Sequence, residues 1–327
     1  MPTLLDSLSQ LLTPDLLNKI GGATGLDANL VSRGLGSVGP LLTGALASSS
    51  STPQGLDGLM KLIPQDGGAG LGNLAGLLKG GAPAGLLSGM FGQSGLGAAG
   101  KTLDQALGFK VSPLIGVAAP VVMGLLSKLR SEKQLDSAGV ATALRTEQDA
   151  FFARGGENAE LARKALDAGA EANALRTRFT DDQWLTIRLA PLAAAQVVMM
   201  ASPSGPIGAI KEAGTVVRAI GAMKATAGAT SLLGIAFEDE LKMDELTHLG
   251  GKDAKKDNML STIRTAVATI AAVSPGDAIP YRRFLAEVAM KVAEASKEGG
   301  FLGIGGTLVS DDEKVAVNEV GVAAGVA

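Results

Sequence analysis

One nine-residue pattern constrains this chain more than any other feature. Gly-x-x-x-Pro-apolar-apolar-x-Gly is written once from Gly36 to Gly44 and again from Gly116 to Gly124. Gly36 corresponds to Gly116, Pro40 to Pro120, Leu41 to Val121, Leu42 to Val122, Gly44 to Gly124 and Leu46 to Leu126. The same offset pairs Val31 with Val111, Ser51 with Ser131 and Gln54 with Gln134. Proline presets the first turn of a helix, and a glycine one turn later lets a second helix come close. The repeat therefore predicts two short helices, each entered at its proline, packed on one another with approximate two-fold symmetry. Between the copies, Gly67 to Gly100 is low in complexity, with Leu71, Leu74, Leu77, Leu78, Leu86 and Leu87 set among glycines. It reads as short helical turns or a linker, and its leucines argue against a purely flexible linker.

Composition narrows the function classes. The chain has 327 residues, about two domains by length, with 29 basic against 32 acidic side chains and a net charge of -3. Neither a basic nucleic-acid binder nor an acidic tail protein has that balance. Cysteine is absent and histidine occurs once, which excludes disulfide scaffolds, thiolate chemistry and a His/Cys metal site. Charged residues are only 19% and mean hydropathy is +0.27, so a very apolar core or faces covered by another subunit are expected. The start, Met1-Pro2-Thr3-Leu4-Leu5-Asp6, lacks the pattern of a signal peptide, and a cytoplasmic location is expected. Two long uncharged stretches, Val111–Ser127 and Leu189–Ile210, are broken by prolines and read as buried core helices rather than membrane spans.

Charge becomes frequent after Arg130, and a boundary at 145/146 divides a Gly/Leu-rich helical domain (1–145) from a C-terminal helical bundle (146–327). Ser137 to Arg178 is helical by periodicity and split at Gly155-Gly156. Thr180-x-x-Gln183 forms a capping box opening a helix to about Ala201, and Ser310-x-x-Glu313 caps the last helix, through Val315, Val317 and Val320. Ser202 to Pro206 and Ser274 to Asp277 read as turns. Helices are expected over Ile207–Lys224, with Ile210, Val216, Val217 and Ile220 buried, from Asp257 or Asn258, and over Tyr281–Lys297. Phe237 to Asp257 is expected to be charged and exposed. No strand pattern recurs, so the fold class is all-α.

Candidates for chemistry all have a structural explanation. His248 has no Gly-x-Ser-x-Gly elbow beside it and reads as a helix-end residue. The run Gly299 to Thr307 follows a helix rather than a strand and has no lysine after Gly306, so it is not a Walker A loop. Asp181-Asp182 and Asp311-Asp312 stand at helix starts, where the dipole favours them, and Glu238-Asp239-Glu240 reads as a solvated face. Lys252, Lys255 and Lys256 are interleaved with acids, without aromatics, which argues against nucleic acid.

The first half resembles the YidB-like family of small bacterial proteins of unknown function. The resemblance is carried by Leu16-Leu17-Asn18-Lys19-Ile20-Gly21, Gly36 to Gly44, Gly55-Leu56-Asp57-Gly58-Leu59 and Pro120 to Leu126, and spans about Met1 to Leu144. It implies a helical domain, with a remote likeness to homeodomain-type folds, and no enzymatic activity or catalytic residues.

These readings together predict a non-enzymatic protein without cofactor or metal that assembles with itself or a partner. The expected contacts are Pro40, Leu41, Leu42, Pro120, Val121, Val122 and Leu125, helped by close-packing spacings such as Gly76 to Gly80 and Gly81 to Gly85. One alternative is membrane-surface association through Leu86-Leu87 and Met90-Phe91. Another is an anion or nucleotide site near Gly303 to Gly306 with Lys297.

Overall fold

A computed structural model describes residues 3–69, 71, 91–201, 205–238, 245, 247–249, 255–295 and 309–326. Among them the chain is all-α, without strands. It forms two compact units, Met1–Asn173 and Ala174–Ala327. The first extends past the expected 145/146 boundary because the charged helices that follow still pack on its core. Position 145 falls inside one of them.

The helices of the first unit are α1 (Leu4–Leu11), α2 (Pro14–Thr24), α3 (Ala28–Ser49), α4 (Pro53–Leu62), α5 (Gln93–Leu107), α6 (Ser112–Glu132), α7 (Ser137–Arg154) and α8 (Glu157–Arg176). α8 ends three residues into the second unit. At the centre α3 packs on α6, with α1 and α2 against both and α7 against α3 and α4. Thr3 and Asp6 form a capping box that starts α1. The Thr3 amide and hydroxyl, then Arg154, hold the Asp6 carboxyl below the usual carboxylate range. Arg154 Nη1 on α7 donates to Asp6 Oδ1 at 3.2 Å, and the Leu4 amide donates to Glu147 Oε2 at 2.9 Å. α7 and α8 are separated at Gly155-Gly156, as expected, with φ of +68° and +93°.

The two proline motifs do not begin helices. Pro40 lies within α3 and Pro120 within α6. A proline inside a helix deletes one N–H and presses its ring on the carbonyl four residues back. In both copies that residue is glycine, Gly36 and Gly116, whose backbone adjusts most readily. Apolar residues on both sides of each proline are buried, so packing keeps the helix continuous through it. The glycines also make room. A Cβ on Gly36 would lie 2.8 Å from Asn158 Nδ2, and one on Gly44 would lie 2.5 Å from Leu166 Cδ1. Both partners are on α8, eight residues apart, so α3 carries two notches in which α8 is seated. Further along α8, Asn173 accepts from the Gly95 amide at 2.9 Å and donates to the Phe91 carbonyl.

The second unit contains α9 (Asp181–Ala201), α10 (Gly205–Thr226), α11 (Leu232–Ala236), α12 (Lys256–Val273), α13 (Pro275–Ala295) and α14 (Asp311–Ala324), with a 3-10 turn at Thr247–Leu249. α9 is the hub of a helical bundle, packing on α12, α13 and α14. The capping box at its start is present: the Gln183 amide donates to Thr180 Oγ1 at 3.3 Å, and the Thr180 amide donates to Gln183 Oε1 at 2.9 Å. Pro191 lies inside α9, so the Ile187 carbonyl loses its helical N–H partner. The Tyr281 hydroxyl, fully buried on α13, donates to that carbonyl at 2.6 Å. A tertiary bond thus replaces the one the proline removes. α6 and α9 are each long and apolar enough to cross a membrane, but most of each is buried inside its own unit.

Several boundaries differ from expectation. Ser274 to Asp277 opens α13 instead of forming a separate turn: Pro275 is its first residue, and Ser274 Oγ donates to Asp277 Oδ2 at 2.6 Å. Phe237 is buried rather than exposed, its ring 5.6 Å from that of Phe284. Val216 is buried, whereas Val217 is 71% exposed, because adjacent residues on a helix point about 100° apart. Ser202 to Ser204, and the side chain of Ile210, lie outside the described residues.

Candidate functional site

The residues expected to contact a partner lie in the interior of the first unit. Leu41 and Leu42 are completely inaccessible, Pro40, Val121, Val122 and Leu125 are buried, and Pro120 is half-buried. Leu41, Leu42, Val121, Val122 and Leu125 belong to one core with Leu46, Leu114 and Leu126. The repeat thus joins α3 to α6 within one chain. Sequence reveals their apolarity but not which surface covers them, and here that surface is α1, α2, α7 and α8.

Exposed large apolar side chains concentrate elsewhere. Leu62 is in the first unit, while Met200, Val217, Ile279, Met290, Val315, Val322 and Val326 are in the second. Three of these fall on or just beyond α14. This helix forms because Ser310 and Glu313 make the expected capping box and Gly325, at φ +72°, closes its C-terminus. Its inner face is Glu313, Ala316, Val320, Ala323 and Ala324, and it packs on α9, α12 and α13. Asp311, Val315, Asn318 and Val322 are exposed at spacings of four, three and four, with Val326 one turn further on. The helix expected through Val315, Val317 and Val320 is present, and of these three only Val320 is fully buried, Val315 being 58% exposed. The signal available in the sequence was the three-four alternation from Val315 through Asn318 to Val322.

Charges border this stripe. Lys314 Nζ donates to Asp311 Oδ1 at 2.8 Å and holds the Asp311 carboxyl below its ordinary range. Lys256 of α12 pairs with Glu319 at 2.8 Å and fixes α14 to the bundle.

Of the remaining candidates that are described, Asp181, Asp182 and Lys256 fill structural roles. His248 is exposed at the rim of a cleft of about 340 Å³, with Asp182, Thr186, Ser261 and Thr265 also lining it. Thr186 and Thr262, also at this cleft, donate to helix carbonyls, and among the described residues no hydrogen bond joins His248 to a serine or carboxylate. Asp181 accepts from Arg176, and both it and Asp182 stand in the first turn of α9. Lys256 is committed to Glu319. Among the described residues no cluster of three or more His, Cys, Asp or Glu could hold a metal ion. Phe91 is buried, while Leu86, Leu87 and Met90 lie outside the described residues. So do Asp239, Glu240, Lys252, Lys297, the Gly303 to Gly306 run and the spacings Gly76 to Gly80 and Gly81 to Gly85.

Comparison with known proteins bears on the first unit. No curated protein and no solved structure matches the chain. Residues 6–129, from α1 almost to the end of α6, match a family described as a bacterial protein of unknown function, DUF937. The segment built around the two proline motifs is therefore similar to a bacterial family of unknown function, as the YidB-like resemblance implied.

Proposed function

We propose that this is a non-enzymatic helical protein that self-associates through the outer stripe of α14. The supporting observation is the exposed series Val315, Asn318, Val322 at three-four spacing. A three-four alternation is the seam along which two helices pair, and β-branched residues in alternate seam positions suit a two-stranded arrangement. Asn318 lies between the two valines, and once the seam excludes water its amide is satisfied by meeting its counterpart, which favours one register. The occupant is a second copy of the chain, since the seam complements itself. α14 has 14 residues, and from Val315 to Val322 the seam spans one heptad repeat. Such an interface falls below the roughly 1,200 Å² of a stable complex, which places the association in the weak, concentration-dependent class.

Light scattering after size exclusion, over a wide concentration range, tests this. The wild type should pass from monomer to dimer, and Val315→Lys/Val322→Lys should remain monomeric with an unchanged circular dichroism spectrum, both sites being exposed. A wild type that is monomeric throughout, or a double variant that still dimerises, would refute it.

A further inference from the structure

A second feature, in the first unit, points to a small-molecule site. Where α6 ends and α7 begins, a cleft of about 380 Å³ opens between the loop after α4 and the last turn of α6. That is within the size range of ligand pockets and ample for a ligand of a few to a dozen heavy atoms. Its polar walls are Gln65, Ser127, Arg130, Ser131, Gln134 and Asp136.

The cleft is held in place from behind. Ser127, buried, donates from Oγ to the Pro64 carbonyl at 2.6 Å and pins the loop to α6. Gly68, at φ +84°, lies so close that a Cβ there would be 2.7 Å from Lys128 Cβ. Gln65 donates from Nε2 to the Ile63 carbonyl at 2.9 Å, which turns its Oε1 to accept from Arg130 Nη1 at 3.1 Å. One edge of the guanidinium is thereby fixed. A guanidinium has five N–H donors, and among the described residues Arg130 makes this one side-chain bond and no ion pair.

The opposite wall has the complementary sign. Asp136 caps α7 with Oδ1, which accepts from the Gly139 amide at 2.7 Å, and no described partner takes Oδ2. Between them stands Gln134, the single described non-glycine residue with positive φ, +51°. It occupies the position after a helix end where glycine is usual: the Leu135 amide reaches back to the Arg130 carbonyl at 2.9 Å. Its Nε2 donates to the Ser131 carbonyl at 2.8 Å, which leaves Oε1 as an acceptor. Arg130 and Asp136 are the charged groups lining the cleft, while Lys128 and Glu132, 3.8 Å apart, are not part of its lining.

We infer that this cleft binds a small zwitterion of the amino-acid or short-peptide class, its carboxylate on the free edge of Arg130 and its ammonium on Asp136 and Gln134. A planar carboxylate matches the guanidinium fork, and a simple anion would be repelled by Asp136. Calorimetric titration of the full chain with leucine, glycylglycine and, separately, acetate tests the assignment. Leucine or glycylglycine should bind, and acetate should bind at least about tenfold more weakly, since it lacks the charge-assisted bonds of the ammonium. Arg130→Gln should abolish binding. Asp136→Asn, which retains the helix cap, should weaken the zwitterions without weakening acetate. Absence of binding by both zwitterions, unchanged binding in Arg130→Gln, or acetate binding as well as leucine would each overturn it.

Discussion

Replacing Tyr281 with phenylalanine tests the most specific energetic statement the fold makes. Pro191 deprives the Ile187 carbonyl of its helical donor, and the Tyr281 hydroxyl supplies another at 2.6 Å. Tyr281→Phe leaves that carbonyl buried and unpaired, at a cost of about 1–3 kcal/mol. Pro191→Ala restores the N–H, so in that background the same substitution should cost less than about 1 kcal/mol. The coupling is then at least about 1 kcal/mol, well above the additivity error of a double-mutant cycle. Trp184 is the single tryptophan, buried in α9, so urea unfolding followed by its fluorescence reads this unit directly. With slopes of about 1–3 kcal/mol per molar urea, a loss of about 2 kcal/mol lowers the midpoint by about 1 M. Equal costs of Tyr281→Phe in the two backgrounds would show that the hydroxyl does not compensate for the proline.

Two further outcomes follow from the same structure. Burial pushes the Tyr281 phenol well above its ordinary range near 10. The unfolded chain therefore loses this proton first, so the contribution is intact below about pH 10 and is lost as pH rises toward the folded value. Tyr281→Phe should flatten the alkaline fall in stability measured by Trp184 fluorescence. Gly34→Ala and Gly58→Ala should have opposite signs, although both remove glycine from a helix interior, a change worth about 1 kcal/mol in propensity. A Cβ on Gly34 would lie 2.3 Å from the fully buried Leu114, and overpacking of that kind costs about 1–3 kcal/mol, whereas nothing lies within 4 Å of one on Gly58. Thermal unfolding by circular dichroism should show a net loss for the first and a gain for the second.

What the sequence disclosed depended on whether the relevant signal was local. The capping boxes at Thr180 and Ser310 and the break at Gly155-Gly156 were legible because each is a short-range pattern, and the all-α class follows from helical periodicity. The site was less so. Leu41, Leu42, Val121 and Val122 were identifiable as surfaces to be covered, but the covering helices, α7 and α8, follow the second motif in the chain. Pro40 and Pro120 read as helix starts because nothing local records that buried flanks hold a helix through its proline. The face taken by Val315 was not legible, because a valine at helical spacing is compatible with either side. Arg130 and Asp136 gave no signal, since the loop that turns them into a cleft lies some sixty residues earlier.

The seating of α8 in the glycine notches of α3 also sets an order of events during synthesis. Ser37 Oγ on α3 donates to Asn158 Oδ1 on α8 at 3.1 Å, across 121 residues of chain. At about 5–20 residues per second, roughly 6–24 s separate the emergence of the two ends of that bond. For that interval the notched face of α3 is on the ribosome without the helix that fills it. The region similar to the bacterial family, 6–129, is complete before any of α8 has been made. A nascent chain held at that point has the Gly36 and Gly44 notches of α3 without the Asn158 and Leu166 side chains that fill them. Release of α8 converts it into the closed first unit.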